Sequence, residues 1–168
     1  MREFVLRRAS VFVMVVAIVA GVRSGQAQDT STPEEHAGWA EATHKLEASP
    51  LVQTVNSAGE TALKQVMDAK DFHVPLCSTL FGAFNGMKYQ YQHAMVRQLM
   101  LGSATYMVEN PDKASDLPAM NLYAVESALK AYAAILQQQP GAKSKDMEML
   151  AKKQEKGDLQ KYINDKCH

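Results

Sequence analysis

Six prolines punctuate the chain, at positions 33, 50, 75, 111, 118 and 140, and between them apolar side chains recur every three or four residues. Proline fits the first turn of a helix but not its interior, where its missing N–H and its ring both break the preceding turn. The spacing therefore divides the chain from residue 33 onward into helices with defined ends. No alternating apolar–polar run, and no valine- or isoleucine-rich stretch bounded by turns, follows Pro33, so nothing signals a strand. The reading is all-α: an irregular bundle of five or six helices.

Thr32-Pro33-Glu34-Glu35 reads as a helix start, with Thr32 as N-cap, proline at the first helical position and Glu35 completing a capping box. That first helix is predicted to reach Ala48, stopped by Ser49-Pro50, and to bury Trp39, Ala40, Thr43 and Leu46. A second, about Leu51 to Lys70, places Val52, Val55, Ala62 and Val66 on one face. After the connector Phe72-His73-Val74-Pro75, a third is predicted from about Leu76 to Val108 along the seam Leu80, Phe84, Met87, Tyr91, Met95, Leu99 and Gly102. Such length is unusual in a small domain, so a bend is expected near Asn85-Gly86. Gly82 and Gly86 read either as a close approach of another helix or as the kink itself.

A fourth helix, about Pro118 to Gln138, carries Leu122, Val125, Leu129, Tyr132 and Leu136, and the third and fourth are expected to form the centre of the bundle. A lysine-rich helix from Lys145 to Lys156 should end at Gly157. Asp158 is then placed to cap a short last helix, about Leu159 to Lys166, with Leu159 and Ile163 as its apolar face.

Residues 1–27 read as a cleavable secretory signal: Arg2, Arg7 and Arg8, an apolar stretch from Val11 to Val22, then small residues at Gly25 and Ala27. The apolar stretch falls short of the ~20 residues of a membrane-spanning helix. The remaining chain, 28–168, reads as one helical domain whose first four residues are a disordered polar lead-in. It carries 14 basic and 17 acidic side chains, a formal charge of −3. Its basic residues are thirteen lysines and Arg97, scattered along the sequence, which argues against nucleic acid as a partner. Periplasmic or secreted localisation is expected. In such an oxidising compartment the only two cysteines, Cys77 and Cys167, are expected to form a disulfide.

Chemistry-bearing residues do not converge. The histidines at 36, 44, 73, 93 and 168 form no HExxH pattern, and Cys167-His168 lacks the upstream cysteine of a haem-attachment motif. Glu41 and Glu47 near His44 read as a solvated helix face. The methionines, including Met87 and Met95 near His93, admit a soft-metal reading, but their helical spacing fits core filling better. No catalytic residue, metal or cofactor is therefore assigned. Two binding surfaces are expected. Tyr89, His93 and Arg97, spaced by four, form a polar ladder on the third helix suited to a protein interface. Met87, Tyr91, Met95 and Tyr132 are candidates to line a pocket between the third and fourth helices.

Two resemblances bear on function. Tyr106-Met-Val-Glu-Asn-Pro, followed by Ala119 and by Leu122-Tyr-Ala-Val-Glu-Ser-Ala-Leu-Lys-Ala-Tyr132, resembles the closing half of the Tai-type periplasmic immunity proteins of type VI secretion. Cys77, Phe81-Gly82 and Gly86 are similar to an upstream segment of the same family. That resemblance implies a periplasmic protein that neutralises a cell-wall amidase toxin. Ala128, Tyr132, Pro140 and Gly157-Asp158 are similar to one tetratricopeptide repeat. Both imply a helical protein-binding module. The expectation is thus a non-enzymatic, exported protein whose partner is another protein, in an inhibitor or immunity role, with self-association left open. The alternative class is a small-molecule or soft-metal-binding helical protein.

Overall fold

The computed structural model describes residues 30–167; the predicted signal, residues 1–27, lies outside the described residues. These form seven α-helices: α1 (Pro33–Ala48), α2 (Gln53–Asp68), α3 (Ser78–Gly86), α4 (Gln92–Glu109), α5 (Leu117–Gln138), α6 (Lys145–Glu155) and α7 (Leu159–Asn164). A short 3-10 turn at Pro111–Lys113 joins α4 to α5. Among the described residues there is no strand, and no helix is long and apolar enough to cross a membrane.

Local chemistry fixes most of the boundaries. Thr32 Oγ1 accepts from the Glu35 amide at 3.2 Å while the Glu35 carboxylate accepts from the Thr32 amide at 2.8 Å, the reciprocal pairing that starts α1. Ser31, expected in a disordered lead-in, is instead held by Asp71, whose carboxylate accepts from its amide at 2.8 Å. Asp116 caps α5 through the Ala119 amide, and Ser144 caps α6 through that of Met147. Gly157, at φ 73°, ends α6 in the left-handed region that glycine enters without strain. Asp158 occupies the N-cap position of α7, but its side chain makes no capping hydrogen bond, contrary to expectation.

The predicted long third helix is two helices. The expected bend near Asn85-Gly86 is a full break: residues 87–91 leave the helical path, and the Gln92 carboxamide donates to the freed Asn85 carbonyl. The apolar seam survives the break, because Leu80, Phe84, Met87, Met95 and Leu99 are all buried in one cluster with α5. Neither Gly82 nor Gly86 sits against another element, since a Cβ at either would meet nothing within 4 Å. Gly86 instead ends α3. Val52, expected on the apolar face of the second helix, is 44% exposed just before α2 begins.

The central pair is α4 against α5, with α1 and α2 covering the other side of α4. Trp39, Ala42, Leu46, Ala62, Val66, Leu101 and Ala104 form the α1–α2–α4 core. The second and larger cluster runs from α3 through α7. Between α1, α4 and α5 lies a buried polar seam in which Gln98 donates to the Thr43 carbonyl (3.1 Å) and to Ser127 Oγ (2.8 Å), and Thr105 donates to Thr43 Oγ1 (2.8 Å). These bonds give the buried Gln98 amide and Thr105 hydroxyl acceptors, which burial in a low dielectric demands.

At the α4–α5 crossing it is Gly102 that allows close approach. A Cβ there would stand 3.0 Å from Ala124 Cα and 3.1 Å from Ser127 Cβ. Gly102→Ala is expected to cost about 1–2 kcal/mol, an overpacking penalty of about 1–3 reduced by the better helix propensity of alanine. A fall in the urea midpoint without a change of slope checks this.

Cys77 and Cys167 are bonded, with Cα atoms 5.6 Å apart across a separation of 90 residues. The bond ties the start of α3 to the end of α7, whose predicted apolar face, Leu159 and Ile163, is buried and packs mainly toward α5.

Candidate functional site

The predicted ladder does not form one surface. Tyr89 lies in the 87–91 segment ahead of α4, half-buried edge-on between Tyr91 and Tyr132 at ring distances of 5.6 and 5.9 Å. Burial, with the neighbouring phenols, pushes its hydroxyl well above the ordinary tyrosine value. Arg97 is only 3% exposed, bonded to Glu60 at 2.5 Å and to the Asn56 carboxamide at 2.6 Å. His93 is exposed and reaches the same Glu60 carboxylate at 3.3 Å. The guanidinium is therefore the anchor that seats α2 on α4, and it is enclosed by the fold rather than offered to a partner.

The predicted pocket is filled. Met87, Met95 and Tyr132 are 7%, 0% and 2% exposed within the α3–α7 core. Tyr91 packs beside them and donates to Gln139 at 2.6 Å. Tyr132 crosses from α5 to α6, where its hydroxyl accepts from the Ser144 amide at 3.0 Å and donates to Glu148 at 2.8 Å. Burial and the Glu148 carboxylate keep this phenol above its ordinary value, so it remains a donor at neutral pH.

The imidazole of His44 is the best acid–base candidate. Its Nε2 lies 2.8 Å from Glu109 and its Nδ1 3.3 Å from Glu47. Glu109 also accepts from Tyr123 (2.8 Å), and Glu47 pairs with Lys130 (3.2 Å), so the group joins α1, α4 and α5. Glu41, read with Glu47 as one face, pairs instead with Lys45 at 2.5 Å. Both ring nitrogens are engaged, and the two carboxylates lie on opposite ring atoms. The arrangement is a clamp that ties three helices together; among the described residues it leaves Glu47 Oε1 buried without a hydrogen-bond partner, and no His, Cys, Asp and Glu group is placed to hold a metal ion.

The Glu109 carboxylate raises the His44 pKa, outweighing partial desolvation. Desolvation alone would raise Glu109, but its bonds from His44 and Tyr123 win and hold it below the usual carboxylate value. The His44 contribution to stability is complete below its ordinary value of 6.5 and is lost as pH rises through the higher folded value. The Glu109 contribution is complete above 4.5 and is lost as pH falls through the lower folded value. The clamp is therefore expected to be strongest between these limits. His44→Ala should flatten the alkaline-side decline in melting temperature, and the effect is modest because the imidazole is 45% exposed.

The surface with uncommitted charge is on α6. Lys145, Lys152 and Lys156 share one helix face with Met149, and with Lys143 and Lys153 they border a groove of about 750 Å³. Among the described residues none of these five lysines has a carboxylate partner, whereas Lys45, Lys64 and Lys130 each do. Met149, 36% exposed, gives the groove an apolar patch. Lys153 is steadied by its ammonium standing 4.5 Å from the centre of the Tyr162 ring. Glu148, fixed by Tyr132, and Asp158 place two carboxylates along the same groove. The signal available in the sequence was the spacing of Lys145, Lys152 and Lys156. What it lacked was the packing that turns this face outward and leaves Asp146 and Glu155 unpaired with it.

No family model, curated protein or solved structure matches the chain.

Proposed function

We propose that this chain is an exported, non-enzymatic protein-binding protein that docks its partner at the α6 groove. The observation that carries this reading is the row of five ammonium groups around exposed Met149, none of them ion-paired among the described residues although Glu148 and Asp158 line the same groove. Solvated lysines on a rigid face attract a carboxylate-bearing surface over a Debye length, and an apolar centre supplies affinity once contact is made. The predicted leader and the Cys77–Cys167 bond support export to a periplasmic or secreted location, because such bonds persist in oxidising compartments. An inhibitor or immunity role, the finer version, rests on the Tai-type resemblance of Tyr106–Tyr132.

The test compares the 28–168 protein with a Lys145→Glu/Lys152→Glu/Lys156→Glu variant, both immobilised against native envelope extract. A stoichiometric protein retained by the first in low salt, released by added salt and bound at least tenfold more weakly by the second supports the reading. Equal retention by both overturns the docking site. A retained small organic molecule in place of a protein would favour the alternative class.

A further inference from the structure

A second concavity, distinct from the α6 groove, has the features of a ligand site. It holds about 470 Å³ beside the disulfide, between the start of α3 and the start of α5. The amides of Ser78, Thr79 and Leu80 open α3 without a side-chain cap, since Cys77 offers none and the first turn bond is Phe81 N–H to the Cys77 carbonyl. Orphan amides at a helix start, with the positive end of the helix dipole behind them, favour an anion. Helix starts are common, but an independent observation singles this one out. Asn121 of α5 lines the same cleft, is only 7% exposed, and its carboxamide has no hydrogen-bond partner among the described residues. Its polar atoms are not sealed in the core, so the carboxamide opens on the cleft and is free to bond what enters it.

The rest of the lining agrees in charge and polarity. Lys166, whose ammonium also stands 5.8 Å from the centre of the Tyr162 ring, has no carboxylate partner among the described residues, and none of the described residues lining the cleft is acidic. Leu76, Leu117 and the disulfide form an apolar wall, and Leu117 is 44% exposed at its edge. We propose that this cleft binds a small organic anion. Its oxyanion head sits on the Ser78 and Thr79 amides with Lys166 and the Asn121 carboxamide, and its apolar body lies along Leu76 and Leu117.

Titrating the oxidised protein with hexanoate, hexyl phosphate and, as neutral control, hexanol, followed by amide NMR, tests this. Saturable shifts at Ser78, Thr79, Leu80 and the Asn121 side chain are expected from at least one anion, with hexanol at least tenfold weaker. The tighter anion identifies the head group as carboxylate or phosphate. Ser78→Asp supplies a carboxylate to the same amides, so it should keep or raise thermal stability while abolishing binding. Lys166→Gln, at an exposed position, should weaken binding several-fold without loss of fold. The proposal is overturned if neither anion shifts these amides, if hexanol binds equally well, if shifts appear only on the α6 lysines, or if Ser78→Asp binds like the parent.

Discussion

Reduction of the Cys77–Cys167 bond is expected to lower stability by about 4–5 kcal/mol, the chain entropy released when a loop of about 90 residues is opened. That is a large part of the ~5–15 kcal/mol that holds a typical domain together. Its first visible effect should be local. α7 has only six residues, too few to persist as an isolated helix, and what holds it is the burial of Leu159 and Ile163 together with the bond at Cys167. Amide exchange across Leu159–Asn164 should therefore accelerate on reduction before α4 and α5 lose protection. Unchanged protection in α7 would show that packing alone retains it. Cys77→Ala/Cys167→Ala should reproduce the global loss in urea without any reductant.

Trp39→Ala is expected to be comparably severe, about 3–5 kcal/mol. The indole is 0% exposed, lies tilted on His36 at 4.7 Å and edge-on to Phe72 at 5.1 Å, and donates from Nε1 to Gln65 at 3.2 Å. Its removal leaves a cavity in the smaller of the two cores, where few other large side chains are available to collapse into it. Trp39→Phe retains most of the ring volume and should cost roughly half as much. The difference separates packing from the Gln65 hydrogen bond, which is removed in both. Denaturation followed by far-ultraviolet circular dichroism measures each variant, since tryptophan fluorescence is lost with the residue.

Where caps and prolines marked an end, the helix boundaries were legible from residues alone. Thr32, Pro33 and Glu35 start α1, and Gly157 ends α6, through interactions that span only a few residues. The α3–α4 break was only half legible, because the spacing of Leu80, Phe84, Met87 and Met95 reports which side chains are buried. A chain that leaves the helix for five residues and re-enters in register preserves that pattern. Tyr89 was misplaced for this reason. Arg97 was read as an interface residue because its partners Asn56 and Glu60 lie about forty residues away, on a helix whose packing no local pattern reveals. The α6 groove and the cleft at Asn121 escaped for the converse reason: their significance lies in partners that are missing, and a missing partner becomes apparent only once every neighbour is in place.

The disulfide also divides the molecule topologically. Residues 77–167 form a covalently closed ring, and α1 with α2 is an arm outside it, attached by a single strand of chain and held down by packing on α4 and α5. A protease that cuts after exposed Lys113 opens the ring but leaves one molecule of unchanged length of chain, its two pieces still joined through sulfur. A cut after exposed Lys70 leaves the arm with no covalent link at all. From that moment Trp39, Leu46 and Val66 behave as the interface of a two-chain complex, and the arm's retention depends on dilution, as it does not in the intact chain.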